Sequence, residues 1–148
     1  MQISLFDVSD FAKPKQVRKY TEDNKASSAA QYDHRAFRYL PESKLLILPL
    51  STPHWNWGID AFDGFVVYDV DESKDFKQKF NISHFDSGER TCWGEDTLPS
   101  RSLVFNGDVT TLKGHKVYSS DLDTGEVQWD INLDKGREEG DGAYCMMW

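Results

Sequence analysis

His54, Trp55 and Trp57, followed closely by Asp60 and Asp63, place an imidazole, two indoles and two carboxylates in one short stretch. Asp33-His34 and the run from His84 through Trp93 to Glu95 and Asp96 repeat the theme. Indole rings stack on sugars or anchor peptides, and carboxylates bond hydroxyls or pair with cations. Two carboxylates also equip glycoside hydrolases, but there the chemistry depends on a separation in space that spacing along the chain does not show. The motifs of covalent and phosphate chemistry, G-x-S-x-G, Walker A, G-x-G-x-x-G, H-E-x-x-H and C-x-x-C, are absent from the sequence. Asp69 to Asp75 is the nearest approach to a calcium loop, and it lacks the required Gly and closing Glu. No catalytic residue, cofactor or metal ligand is therefore assigned. The ligand-binding candidates are Asp33, His34, His54, Trp55, Trp57, Asp60, His84 and Trp93. Cys92 and Cys145 either pair in an oxidising compartment or remain two free thiols. Asn81-Ile82-Ser83 is a glycosylation sequon that matters if a eukaryotic cell exports the chain.

Each candidate also has a structural reading. Asp33-His34 precedes a strand and can staple neighbouring backbone. Trp55 and Trp57 can cap the open end of a core, and His84 can be a turn residue. The acidic excess can be solvated surface.

The elements that position these residues are strands. Leu5-Phe6-Asp7-Val8, Val67-Tyr68-Asp69-Val70 and Ser119-Ser120-Asp121-Leu122 are apolar or β-branched runs ending in a turn-forming Asp. Each leads to another alternating run: 16–21, 76–83 and 126–133. Upstream, Arg35 to Tyr39 matches Arg101 to Phe105 at an offset of 66, and Leu45 to Leu48 matches Val109 to Leu112 at 64, whereas Asp69 and Asp121 are offset by 52. A four-stranded antiparallel unit recurring in this way is the mark of a β-propeller blade. The expected fold is all-β, a partial β-propeller of about two and a half blades: a half blade over 3–21, blades over 35–83 and 101–133, then a charged, Gly-rich tail over 134–148. A ring needs four to eight blades. The chain opens in mid-strand, so it is expected to be part of a longer protein or to close by association.

Ile3 to Asp10 with Pro14, Tyr32-Asp33-His34-Arg35-Ala36-Phe37, Leu45 to Pro49, Gly64-Phe65 and Arg101-Ser102-Leu103 carry a resemblance over roughly residues 3–133. The sequence resembles the C-terminal portion of a secreted β-propeller family distantly related to WD-repeat proteins. The resemblance implies the propeller fold and export as part of a larger protein, and it supplies no catalytic residues. The Trp-rich segment and the cysteine-bearing loop depart from the family pattern.

In such a unit, alternate connections emerge at opposite ends. One end carries short turns; the other carries 22–34, 51–63 and 84–100. These three segments hold −7 of the net charge of −8, and long loops in compact domains are often functional. The expected function is a non-enzymatic recognition scaffold that binds a protein or glycan ligand at this acidic, aromatic-rich end. The alternatives are part of a propeller hydrolase or lyase acting on sugar or peptide, and a purely structural fragment. The acidic balance argues against nucleic acid. The longest apolar run, Leu45 to Leu50, is far short of the ~20 residues of a membrane span. The expected compartment is extracellular, with the cytoplasm as the alternative.

Overall fold

The computed structural model describes residues 1–22, 26–52, 62–71, 73–84 and 99–133. Among these described residues, ten strands form three antiparallel sheets of two, four and four. The first pairs β1 (Gln2–Asp7) with β2 (Lys15–Thr21). The second runs in chain order through β3 (Arg38–Leu40), β4 (Leu45–Ser51), β5 (Asp63–Asp69) and β6 (Lys77–Ser83). The third does the same with β7 (Ser100–Phe105), β8 (Asp108–Lys113), β9 (Lys116–Asp121) and β10 (Val127–Asn132). The fold is all-β, as the repeat requires, and the described residues contain no α-helix.

β4 and β5 read as continuous apolar runs because both of their faces are covered. On one face, Leu46, Leu48, Leu50, Val66, Tyr68 and Val70 pack against Ile3, Leu5 and Tyr20 of the first sheet. On the other, Leu45, Ile47, Phe65, Val67 and Ile82 pack against Val104, Val109 and Tyr118 of the third. Each fully buried Leu, Ile or Phe contributes about 1.5–3 kcal/mol, so the second sheet is the centre of the core. Gly64 allows β5 to lie close to β6: a Cβ there would run into the carbonyl of Ile82.

Three details differ from the sequence expectation. The run from Arg35 is not strand from its start. His34–Ala36 forms a 3-10 turn because the Asp33 carboxylate accepts Arg35 N–H at 3.0 Å and Ala36 is buried beneath it, leaving only Arg38–Leu40 extended. The middle blade's turn is held by Asp71, whose Oδ1 accepts Ser73 N–H and Oγ–H, rather than by Asp69. Asp7 and Asp121 do anchor their turns, accepting from Ser9 and from Asp123 and Thr124.

The third difference is a one-residue slip. Leu45 pairs with Asp69, as Asp108 does with Asp121. Val70 N–H bonds Lys44 O, as Leu122 N–H bonds Gly107 O. Leu45 therefore corresponds to Asp108 rather than Val109, and the middle b–c insertion is one residue shorter than the sequence offsets imply. In a strand such a slip exchanges the two faces: Val109, Thr111 and Lys113 are the counterparts of Leu46, Leu48 and Leu50.

Candidate functional site

The base of each long segment is tied to the others at one end of the sheets. Ser27, from the first segment, forms a two-way backbone bridge with Ser51 at the end of β4, both bonds 2.9 Å. Ser28 Oγ donates to Pro49 O at 2.6 Å. Thr52 and Phe62 bond each other across the mouth of the second segment through their backbones and the Thr52 hydroxyl. His84, where the third segment begins, donates its backbone N–H to Asp63 O at 2.8 Å.

A charge from the next sheet reaches into this junction. Lys113 Nζ lies 2.5 Å from Asp63 Oδ1 and donates to Ser51 Oγ at 2.8 Å, while Ser51 Oγ donates to the same carboxylate oxygen. A serine beside a lysine invites comparison with a nucleophile and its base. Here the serine's one proton is engaged by the carboxylate and its oxygen only accepts from the lysine, so the trio works as a strut between sheets. The ion pair is mostly shielded, with side chains 11% and 21% exposed, which makes loss of one partner more costly than at an open surface.

His84 sits behind this strut, 5% exposed. Its Nε2 is 2.9 Å from Thr111 Oγ1 on β8, and its ring meets Tyr118 edge-on at 4.7 Å and Phe65 at 5.6 Å. Thr111 points its own proton toward Tyr118 O over a long 3.5 Å. The threonine oxygen thus accepts Nε2–H, which leaves Nδ1 bare, without a partner among the described residues. Burial, reinforced by the nearby positive charge of Lys113 and opposed by Asp63, pushes the imidazole down to about 4. The ring is neutral at pH 7. A buried seam residue, not a turn, is what ends β6.

Asp33 makes a parallel link. Its second oxygen accepts from Arg101 Nη1 of β7 at 2.7 Å while the first caps the 3-10 turn. The Arg35 N–H and the Arg101 guanidinium hold its carboxyl below the usual range. Ser100 pairs with Lys113 and Arg101 with Leu112, so the two cations stand one register step apart. Arg38 Nε adds a third tie, donating to Ser102 O at 2.8 Å.

Of the sequence candidates, Asp33 and His84 lie at this junction, and His34 is exposed on its 3-10 turn. Asn81 is exposed on β6. His54, Trp55, Trp57, Asp60, Trp93, Cys92 and Cys145 lie outside the described residues. Sequence reasoning missed Lys113, Thr111 and Arg101. A signal existed for the first two: in the correct register they replace Leu50 and Leu48, and a lysine at an inward strand position needs a buried partner. Among the described residues there is no cluster of three or more metal-ligating side chains and no helix long and apolar enough to cross a membrane.

The beta propeller domain family matches residues 1–125, which includes nine of the ten strands. The chain belongs to the beta propeller domain family. No match is found among curated proteins or among solved structures. The two four-stranded sheets are therefore propeller blades and the two-stranded sheet is half of one, and the junction of Ser51, Asp63, His84 and Lys113 is the seam between the two four-stranded blades at the long-loop end.

Proposed function

We propose that this propeller chain is a non-enzymatic recognition scaffold, and that it binds a protein or glycan ligand at the long-loop end. The observation that carries this reading is the anchoring of all three long acidic segments on one strut, Ser51–Asp63–Lys113, backed by His84. A rigid base under variable loops is how scaffolds hold binding residues at fixed spacing. The three segments carry most of the chain's negative charge in sequence, which suits a basic peptide or a hydroxyl-rich sugar. The three sheets among the described residues, one of only two strands, are fewer than the four to eight that close a ring, so the reading includes further sheets supplied from outside the described residues. It also includes an extracellular setting and a distant relation to WD-repeat proteins, both resting on the sequence resemblance.

The test is a glycan array together with a panel of basic peptides, using the wild-type chain and the Trp55→Ala, Trp57→Ala double variant. Anchor rings are typically worth ~2 kcal/mol or more, so binding should fall at least tenfold while thermal unfolding stays unchanged. Unchanged binding, or unfolding of the variant with no separate binding defect, would overturn the reading.

A further inference from the structure

The seam between the second and third sheets is held differently at its two ends. At the short-turn end the contact is apolar: Val104, Val109 and Leu122 pack against the second sheet, and Gly125 lies close on the Phe80 ring. An exposed Lys79–Asp123 pair runs alongside. At the long-loop end the contact is polar, made by the Ser51–Asp63–Lys113 strut and by His84 on Thr111. Segment 84–100 leaves the second sheet at His84 and enters the third at Ser100. It therefore straddles this seam, and parting the sheets here moves its two ends.

The imidazole sits where that polar contact is most sensitive to charge. Asp63 and Phe65 approach it from β5, Thr111 and Lys113 from β8, and Tyr118 and Lys116 from β9. His115 is exposed on the turn that joins β8 to β9. The carboxylate in this set, Asp63, already accepts from Ser51 and pairs with Lys113. A protonated ring carries N–H on both nitrogens. Nε2 has Thr111, but Nδ1 is buried and has no partner among the described residues. The closed seam would thus hold an unmet donor and a third cation beside two lysines. Water meets both needs once the sheets part.

We propose that His84 is an acid-operated latch. When its ring takes up a proton, the second and third sheets part at the long-loop end, Thr111 and Lys113 leaving His84 and Asp63, while the apolar short-turn end stays closed as the hinge. The open seam binds the proton at the ordinary 6.5 and the closed seam only near 4. Opening is therefore favoured tenfold for each pH unit between those values, about fiftyfold from pH 7 to pH 4.5. The latch stands on the seam alone, independently of what the long-loop end binds, and it changes the spacing at the base of segment 84–100.

Thiol labelling tests it in the full chain with Cys92 and Cys145 replaced by Ser. Ser102→Cys reports on the long-loop half of the seam, since Ser102 is 7% exposed and pairs with Thr111. Ser100→Cys, 4% exposed and paired with Lys113, is a second reporter there. Val109→Cys, fully buried near the short turn of β8, reports on the hinge. Circular dichroism confirms folding of each. The reagent is a pyridyl disulfide, which reacts in mild acid as well as at neutral pH, and rates are divided by that of an unstructured cysteine peptide. Labelling at the two serine positions should rise about fiftyfold from pH 7 to pH 4.5, and only a fewfold when His84→Gln is added. Val109→Cys should change little. Labelling that does not rise, or that rises equally with His84→Gln, would overturn the proposal. An equal rise at Val109→Cys would do so too, because the chain would then be opening as a whole. Ligand binding at the long-loop end is measured separately, so a failure here leaves that reading to its own test.

Discussion

Acidification should loosen the seam between the second and third sheets, and His84 sets the size of the effect. Its pKa is about 4 in the folded chain against 6.5 for the free imidazole. The unfolded chain therefore binds a proton that the folded chain refuses, and stability falls as pH drops below 6.5, levelling off below about 4. A tenfold difference in proton affinity is worth about 1.36 kcal/mol, so the whole loss is about 3 kcal/mol, of which about 2 has occurred by pH 4.5. The groups that face the ring decide what happens next. Protonation would place a third positive charge beside those of Lys113 and Lys116, with the Asp63 carboxylate opposing them, and Thr111 and Tyr118 offer neutral contacts alone. Urea unfolding of wild type and His84→Gln at pH 7 and pH 4.5 measures the effect. The amide keeps a donor for Thr111 without titrating, and the other three histidines are common to both proteins. The lowered carboxyls of Asp7, Asp33, Asp71 and Asp121 lose their contribution only as pH falls through values below the usual 3.8, outside this window. Wild type should lose about 2 kcal/mol more than the variant between the two pH values. Equal losses would mean that His84 is hydrated and charged in the folded chain, and would refute burial as the source of its low proton affinity.

Two other substitutions probe the frame. Gly125 has φ 78°, and a Cβ there would meet the Phe80 ring at 2.6 Å, so Gly125→Ala should lower stability by about 1–3 kcal/mol in thermal or urea unfolding. Lys113→Met should cost about 3 kcal/mol by stranding Asp63 and Ser51, and adding Asp63→Asn should restore most of it, since a neutral pair removes the uncompensated charge; a double variant no better than the single would show that the strut does not act as a unit.

Much of the architecture was legible because period-2 alternation and Asp-ended turns are local signals. Leu45 to Leu50 and Gly64 to Val70 announce covered strands through composition alone. The register between repeats was not legible, because Leu45 to Leu48 and Val109 to Leu112 align equally well by hydrophobicity at the wrong offset. Only the hydrogen bonds from Val70 and Leu122 to the preceding turns settle it. That slip hid the site: Thr111 and Lys113 looked like ordinary strand residues until they stood where Leu48 and Leu50 stand in the middle blade. Asp33 was visible as the residue before a strand, but its partner Arg101 lies far along the chain, and such a pairing has no local trace. The shift of the turn from Asp69 to Asp71 was equally invisible, since both positions offer a carboxylate at a strand end.

The two faces of the second sheet differ in what holds them. Toward the first sheet the contact is made by leucines, valines and tyrosines; toward the third, Thr111, Ser120, His84 and the Asp63–Lys113 pair share it. Burial of apolar surface carries a large heat-capacity change and weakens on cooling. A buried ion pair is less penalised as temperature rises, because the hydration it gives up becomes less favourable. Both seams bury apolar residues and so weaken on cooling, while the seam toward the third sheet adds a buried imidazole that responds to acid. The central sheet thus stands between two contacts that share a response to cold and differ in their response to acid.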